Sequence, residues 1–577
     1  MNNPAEQAAI ECMKKVNASL NSGNNFLVEA GAGAGKTYTL IESLNHLIEK
    51  NSKEFQRLNK KIACITYTNV AKDEIRSRTD NHPIVYAETI HAFCWDILKA
   101  FQKPLLSLLH TLTPQWANRC EETPRLNQKV KYDLGYPKLT EAEAYLHHDD
   151  VIKLMAALLD DKKFQVILKN KFPIILIDEY QDTNKDLVES IIRNFIEPKS
   201  GPQIGFFGDH WQTIFGSRSV GSIKASPDKL DVIGKNANFR SEKIIVDALN
   251  RIRVELPQYE ADPLSKGEIK IFDSNSFKGN RRTDNHWQED LPEQEAHDLF
   301  IKSKSILEQN GWDFSPDRTK ILMLTNNLLA AEQGYSNLFR AFSDNDDLLK
   351  KNDKTVAFLS DIVDPAISFF DDKKFGDMLR CLNLNIPKIK THQDKKRWYD
   401  YFKLLSETAK QKTVGEVLDQ ISSSSILRLP DRVSESEKKL IELKNKHADE
   451  RTGEEIEFIN RREIFRNVKF EEIVALGKYV DDKTPFSTKH GVKGAQFENV
   501  MVVLGRGWNN YNWNQMLEWA DNVPANKIDA FERNRNLFYV ACSRPKKRLA
   551  LVFSQKLSTE SLSTLKKWFD VDSTSLI

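Results

Sequence analysis

The chain has 577 residues, too many for one hydrophobic core, and its length suggests about three or four domains. Hydrophobic residues make up 40% and charged ones 29%, the balance of a soluble globular protein rather than a disordered one. Lys plus Arg total 84 against 82 for Asp plus Glu, which excludes nucleic-acid binding through overall charge and leaves it to local basic surface.

Residues 1–25 mix Asn, Glu, Gln and Lys without a continuous apolar core, which argues against a signal peptide or anchor. No apolar run is long enough to cross a bilayer. Cys12, Cys64, Cys94, Cys120, Cys381 and Cys542 are scattered, with no CxxC pair or metal-ligand spacing. They read as small buried or neutral residues in a reducing cytosol, so the expected location is cytoplasmic.

The apolar run Phe26-Leu27-Val28 predicts a strand, and a helix is expected to begin near Tyr38. Between them lies Ala30-Gly31-Ala32-Gly33-Ala34-Gly35-Lys36-Thr37, which fits the P-loop form that accepts Ala in place of its first Gly. Small residues let backbone N–H groups converge on phosphates. Lys36 can reach the outer phosphates, and the Thr37 hydroxyl can hold Mg²⁺ at a helix N-terminus. A short Gly-rich run also suits a plain turn, but strand before, Gly-Lys-Thr at the end and helix after favour nucleotide binding.

Further strand-like runs follow at Ile62–Thr66, Ile174–Ile177 and Ile204–Phe207, each followed by polar or helical sequence. That rhythm predicts a parallel sheet with crossover helices, whose ligands sit at the carboxyl ends of its strands. From about 96 to 165 a mainly helical insertion is expected. Ile174–Ile177 runs into Asp178-Glu179-Tyr180-Gln181-Asp182-Thr183, and adjacent acids at a buried strand end need a compensating cation. In an NTPase, Asp178 would hold Mg²⁺ through water and Glu179 would activate the attacking water. An acidic helix start is the alternative. Ile204–Phe207 ends in Gly208-Asp209-His210-Trp211-Gln212-Thr213, where Asp209 and Gln212 could sense a terminal phosphate.

A second set of strands is predicted at Ile269–Phe272, Ile321–Leu324, Val500–Leu504 and Leu549–Phe553. It is split by a charged, helical stretch from about 345 to 483, in which Glu435–Glu442 looks like a solvated helix. Ser422–Ser425 and Arg281–Gln288 read as loops, and there is no short internal repeat.

In sequence order the motifs are Gln7, the GAGAGKT cradle, Ile65-Thr66-Tyr67-Thr68-Asn69, Thr89-Ile90-His91-Ala92-Phe93, DEYQDT, GDHWQTIFG and Asn238-Phe239-Arg240-Ser241. Lys489-His490-Gly491-Val492-Lys493-Gly494-Ala495-Gln496-Phe497 and Asn536-Leu537-Phe538-Tyr539-Val540-Ala541-Cys542-Ser543-Arg544 complete the set. Together they cover nearly the whole chain and resemble the superfamily 1A helicases of the UvrD/Rep/PcrA type.

The resemblance implies an α/β fold with two RecA-like P-loop NTPase domains, each carrying a mainly helical insertion, and ATP with Mg²⁺ in the cleft between them. The expected boundaries are 1–95, 166–238, 239–344 and 484–577 for the RecA-like parts, with insertions at 96–165 and 345–483. Gln7 is expected to read the adenine edge, with Tyr38 and Phe239 sandwiching the base and Gln496 near the sugar. Arg240 and Arg544 match the arginine fingers, which neutralise developing charge only when the domains close. Thr68, Asn69, His91, Thr488 and His490 match the single-stranded DNA groove. Tyr67, Phe93 and Phe215 are candidate base-stacking surfaces, with core packing as the alternative for each.

Two positions depart from the family pattern. Ser217 stands where a base-stacking Trp is usual, with Trp211 nearby as a substitute, and Gln496 stands where a Glu is usual. About thirty residues follow Arg544, too few for a fused nuclease. Two uses stay open: a DNA translocase and helicase, 3′-to-5′ by resemblance, or a DNA-sensing ATPase that regulates a separate nuclease. The second is the arrangement of compact UvrD-like proteins in antiphage systems such as Gabija, where the partner would be an OLD-type endonuclease.

Overall fold

The computed structural model describes residues 3–123, 127–132, 137–213, 219–283, 287–323, 334–342, 348, 351, 353–382, 389–480, 486–487, 496–506 and 511–577. Phe215, Ser217, Thr488 and His490 lie outside them, as does the Leu324 end of one expected strand.

Six parallel strands form the first sheet: β1 (Phe26–Ala30), β2 (Ile62–Thr66), β3 (Val85–Thr89), β7 (Ile174–Asp178), β8 (Gln203–Gly208) and β9 (Asp231–Lys235), in the order β3-β2-β7-β8-β1-β9. Successive side chains of a strand point to opposite faces, so each apolar run feeds two cores. Phe26, Val28, Ile62, Cys64 and Leu176 pack on one face, and Leu27, Ala63, Ile65, Ile175 and Ile177 on the other. Helices α1 (Pro4–Ser22), α2 (Lys36–Arg57), α3 (Asn69–Arg78) and α4 (Ile90–Leu98) flank the first three strands.

The region expected as the first insertion holds helices α5 (Gln102–Leu112), α6 (Pro114–Glu122) and α7 (His148–Leu158), and α8 (Lys162–Lys171) crosses its expected end at 165. It also holds a three-stranded sheet, β4 (Lys129–Tyr132), β5 (Lys138–Leu139) and β6 (Glu143–Leu146), whose strands are too short to show a period in sequence. Leu105, Trp116, Val130 and Leu154 share one core with the Ile65 face of the first sheet, so the insertion packs on that sheet directly.

After α9 (Lys185–Ile191), β9 leads into the short pair β10 (Ala237–Asn238) and β11 (Tyr259–Glu260), with α10 (Lys243–Ile252) between them. The second sheet is again all parallel: β12 (Glu268–Asp273), β13 (Thr319–Met323), β14 (Phe486–Ser487), β15 (Phe497–Leu504), β16 (Pro545–Phe553) and β17 (Thr574–Ser575), ordered β14-β13-β15-β16-β12-β17. Met501 and Val503 face a core continuous with the second insertion, including Trp398, Phe402 and Phe465. Val500 and Val502 face the helix Ile528–Cys542. The solvated segment expected at Glu435–Glu442 lies inside a helix, Asp431–Asn445.

No helix among the described residues is long and apolar enough to cross a membrane.

Candidate nucleotide and DNA sites

β1 ends at Ala30 and α2 begins at Lys36, so the Gly-rich run is a loop that feeds a helix N-terminus. Gly33 (φ 72°) and Gly35 (φ 74°) take left-handed backbone conformations that favour glycine. A Cβ on Gly33 would come within 2.7 Å of both Asn238 Oδ1 and Arg240 Cβ, so a side chain there would push apart the loop and the 238–241 turn. Phe239 N donates to Gly33 O at 2.9 Å, and Gln258 Nε2 donates to Ala32 O at 3.1 Å and Ala237 O at 2.7 Å. The loop is thus braced from outside as well as by its own turn.

Lys36 Nζ lies 2.6 Å from Glu179 Oε1. Burial pushes the Lys36 ammonium down, but the carboxylates of Glu179, Asp178 and Asp209 more than offset it and hold its pKa above the ordinary lysine value. Lys36 is the compensating cation that the Asp178–Glu179 pair requires. Asp178 is buried at the end of β7, and Glu179 adopts φ 50°, a left-handed conformation costly for a residue with a Cβ. Gln181 Nε2 donates to Glu179 Oε2 at 2.5 Å.

Two arginines face this floor. Ser241 Oγ donates to Pro545 O at 2.8 Å and Glu242 N to Lys546 O at 2.8 Å, so the 238–242 turn is fastened to the start of β16. There Arg240 Nη1 donates to Ser543 O at 2.9 Å. Arg544 Nε donates to Val540 O at 2.9 Å and its Nη2 to Gln212 Oε1 at 3.3 Å. All these acceptors are neutral, and among the described residues neither guanidinium forms a salt bridge. Burial and the neighbouring Arg240 push Arg544 down to about 9, and burial pushes Arg240 down to about 10. A buried and a half-buried guanidinium, neither in a salt bridge among the described residues and Arg544 only partly offset by Glu179 and Asp209, make a site that an anion would stabilise.

A cleft of about 430 Å³ joins these groups, lined by Ala30–Thr37, Glu179, Gln212, Phe239, Arg240, Gln496 and Arg544. Phe239 and Tyr38 are exposed, and a Cβ on Gly35 would touch both, at 3.8 and 3.9 Å. The Phe239 ring and the start of the Tyr38 side chain therefore meet at one end of the loop. Gln7 does not line the cleft: the inner stripe of α1 is Ala5, Cys12, Val16 and Leu20, and Gln7 lies off it, exposed.

Thr66 of β2 pairs with Thr89 of β3, so the segments that follow, Tyr67–Asn69 and Ile90–His91, leave the sheet side by side. Tyr67 and Asn69 are exposed. The Thr68 hydroxyl caps α3, accepting from Ala71 N at 3.2 Å. His91 is half-buried, 4.6 Å ring to ring from His148 of α7; burial and that neighbour push its pKa down to about 4.

Two stacking assignments are corrected. Phe93 is a core residue, 3% exposed and 5.4 Å from the Phe172 ring. Two residues apart on a helix means nearly opposite faces, so Phe93 points inward where His91 points out. Trp211 is also buried, edge-on to Tyr539 at 5.3 Å and covered by the Arg535 guanidinium at 3.8 Å, so it offers no face to a base.

Three charges beside the cleft, Arg253 and Lys235 buried and Glu29 nearly so, belong to no motif. Arg253 caps the end of α10 and pairs with Asp209 at 2.6 Å. Lys235, 1% exposed at the end of β9, donates to Gly35 O at 2.9 Å and to the Thr39 hydroxyl. Glu29 alone leaves a signal, as an acid inside the apolar run of β1.

Comparison with known proteins places this geometry in a family. A family model described as an AAA domain matches residues 14–218, and one described as the UvrD-like helicase C-terminal domain matches residues 316–556. Gabija protein GajB of Bacillus cereus (strain HuB5-5) is 25% identical, over 97% of this chain and 97% of its own. The ATP-dependent DNA helicase PcrA of Staphylococcus aureus (strain Mu50) is also 25% identical, over 39% of this chain and 37% of its own. PcrA of Staphylococcus epidermidis matches to the same extent. With a match to an AAA domain in its first half and to a UvrD-like helicase C-terminal domain in its second, the chain carries the domains of a UvrD-like, ATP-dependent DNA helicase.

Proposed function

We propose that the chain hydrolyses ATP in the cleft between its two sheets when single-stranded DNA is bound, and moves along that strand 3′-to-5′. The observation that carries this reading is Arg240 and Arg544, a half-buried and a buried guanidinium held by Ser543 O and Val540 O just before β16, which line the cleft opposite the P-loop and form no salt bridge among the described residues. A triphosphate suits that cleft: the loop's residues are small, Gly31 and Gly33 have no room for a side chain, and the charge opposite them is positive. Thr37 and Asp178 offer a hydroxyl and a carboxylate, the hard oxygen donors that Mg²⁺ prefers. Bound there, Mg²⁺ would supply charge neutralisation between phosphate oxygens.

In this reading Lys36 exchanges Glu179 for phosphate when ATP binds, which frees the Glu179 carboxylate to accept a proton from water. Gln212 bridges Asp209 and Arg544, so it is placed to report the terminal phosphate to the second unit. Phe239 and Tyr38 would hold the base. Tyr67, Asn69 and His91 would contact the strand at the exposed edge beyond β2 and β3.

The test is ATP hydrolysis with and without single-stranded DNA. Stimulation that disappears in Lys36→Ala supports the reading, and an ATPase indifferent to DNA sinks it. Displacement from 3′-tailed but not 5′-tailed duplex tests direction.

A second reading is favoured by the similarity to a Gabija protein along 97% of both chains. In it the chain is the DNA-sensing ATPase of an antiphage system and controls a separate OLD-type endonuclease, with little unwinding of its own. Strong DNA-stimulated hydrolysis without displacement from any tail, together with co-purification of such an endonuclease, would select it.

A further inference from the structure

The turn His210–Gln212 is held by the second sheet's helices through Arg253 and Arg535, which belong to none of the ATPase motifs, and through Asn536, the first residue of the last motif. On one side, Arg253 at the end of α10 reaches Asp209 Oδ1 with Nη1 at 2.6 Å and Glu29 Oε2 with Nη2 at 3.5 Å. On the other, Arg535 of the Ile528–Cys542 helix covers the Trp211 ring at 3.8 Å, and Asn536 Nδ2 donates to His210 O at 3.5 Å. Arg253 also lies 5.2 Å from the Trp211 ring, so two guanidiniums lie close to the indole and Tyr539 meets it edge to face.

This arrangement leads to the reaction centre through a short chain of bonds. Asp209 Oδ2 accepts from Gln212 Nε2 at 2.8 Å, and Gln212 Oε1 accepts from Arg544 Nη2 at 3.3 Å. With one Asp209 oxygen on Arg253 and the other on Gln212, the amide is fixed with its oxygen turned towards the arginine. Glu29, the second carboxylate on Arg253, is the residue before the P-loop's Ala30 and accepts from the Tyr180 hydroxyl, next to Glu179. Glu29, Asp209 and His210 cluster closely enough to suit a cation, and the guanidinium supplies that positive charge itself.

We propose that Arg253 is a positioning residue for ATP hydrolysis: from the second unit it grips Asp209 and Glu29, and thereby orients Gln212 towards Arg544 and the cleft. This rests on the function proposed above. A planar fork is needed because one group must hold Asp209 and Glu29, with Glu255 on its Nε at 3.3 Å, and also lie against the Trp211 ring; an ammonium can do only part of this. Arg253 touches no nucleotide-binding residue of the loop directly, so its loss should affect turnover rather than binding.

The experiment compares wild type with Arg253→Lys in DNA-stimulated hydrolysis, with ATP and single-stranded DNA dissociation constants measured separately. A drop in kcat of at least ten-fold, with both dissociation constants within two-fold, is the expected result. In a Gln212→Ala background the same substitution should cost less than a further two-fold, because the route through Gln212 is already cut. Unchanged kcat, a rise in KM alone, or an equal loss in both backgrounds overturns the proposal. If Arg253→Lys does not fold, Trp211→Phe, which keeps a buried ring but shrinks the platform, must show the same split. A wild type without DNA-stimulated hydrolysis would instead overturn the proposed function, so the two failures are distinguishable.

Discussion

Lys36 Nζ and Glu179 Oε1 are 2.6 Å apart, so the cation suited to phosphate and the carboxylate suited to activating water are each other's partner. Removing the Glu179 charge while keeping its shape should release Lys36 for the nucleotide. Glu179→Gln is therefore expected to bind ATP at least as tightly as wild type while kcat falls roughly 100-fold or more, the scale of losing a general base. Lys36→Ala should lose binding and turnover together. Equilibrium binding of a fluorescent ATP analogue beside steady-state hydrolysis separates the two patterns. Weaker binding by Glu179→Gln would contradict the exchange.

Half-buried Arg240 and buried Arg544 donate to neutral acceptors, and burial pushes their pKa values down to about 10 and about 9. An arginine that stabilises transferring phosphate is worth about 10³–10⁵ in turnover. Arg544→Ala should lower kcat by roughly that factor and leave ATP affinity within a few-fold. Arg240→Ala should be milder in turnover but loosen the 238–241 turn that braces Gly33. Presteady-state hydrolysis with saturating ATP measures the first effect, and a raised KM marks the second.

Phe93 and Tyr67 were alike as aromatic candidates in the sequence, and the structure separates them. Phe93→Ala should cost about 3–5 kcal/mol of stability by leaving a cavity in the core. Tyr67→Ala, at an exposed ring, should leave stability nearly unchanged and weaken single-stranded DNA binding by about 1–3 kcal/mol if a base stacks there. Denaturation midpoints and fluorescence anisotropy decide the matter. Comparable losses of stability in both variants would contradict the separation.

Much of the fold is legible because a parallel sheet buried on both faces writes its strands as unbroken apolar runs, as in Ile174–Asp178. The edge strands Val85–Thr89 and Asp231–Lys235 are half-exposed and carry polar residues, so they look like connecting sequence. The P-loop and the two arginines are legible because their chemistry demands residue types at fixed places in order. Phe93 misleads because the motif names a residue type without its helix face, although its offset of two from His91 already forbids a shared side. Arg253 and Lys235 are illegible for a different reason: each acts through a partner hundreds of positions away or on another element, Gly35 for Lys235 and Asp209 for Arg253. Nothing local distinguishes such a residue from a surface cation.

Lys235 yields the last prediction. Its ammonium is buried against Gly35 O and the Thr39 hydroxyl, and burial pushes its pKa from 10.5 down to about 8. Below pH 8 the folded and unfolded chains both hold this proton, and the folded state bears the full cost of the buried charge. Between about 8 and 10.5 the folded state releases the proton while the unfolded state keeps it, so the wild type gains stability from this group as pH rises. Above that window the cost is gone. Lys235→Met removes the charge at a similar length, relieving on the order of 3 kcal/mol by the size of the shift and losing about 1 kcal/mol for each of two hydrogen bonds. The variant should therefore unfold at a higher denaturant midpoint than wild type at pH 7, and the advantage should shrink and reverse as the pH is taken from 8 to 10.5. Midpoints measured across that range without nucleotide check the sign. An advantage that grows with pH, or a variant less stable at pH 7 than at pH 10 relative to wild type, would show that the Lys235 charge stabilises the loop it touches.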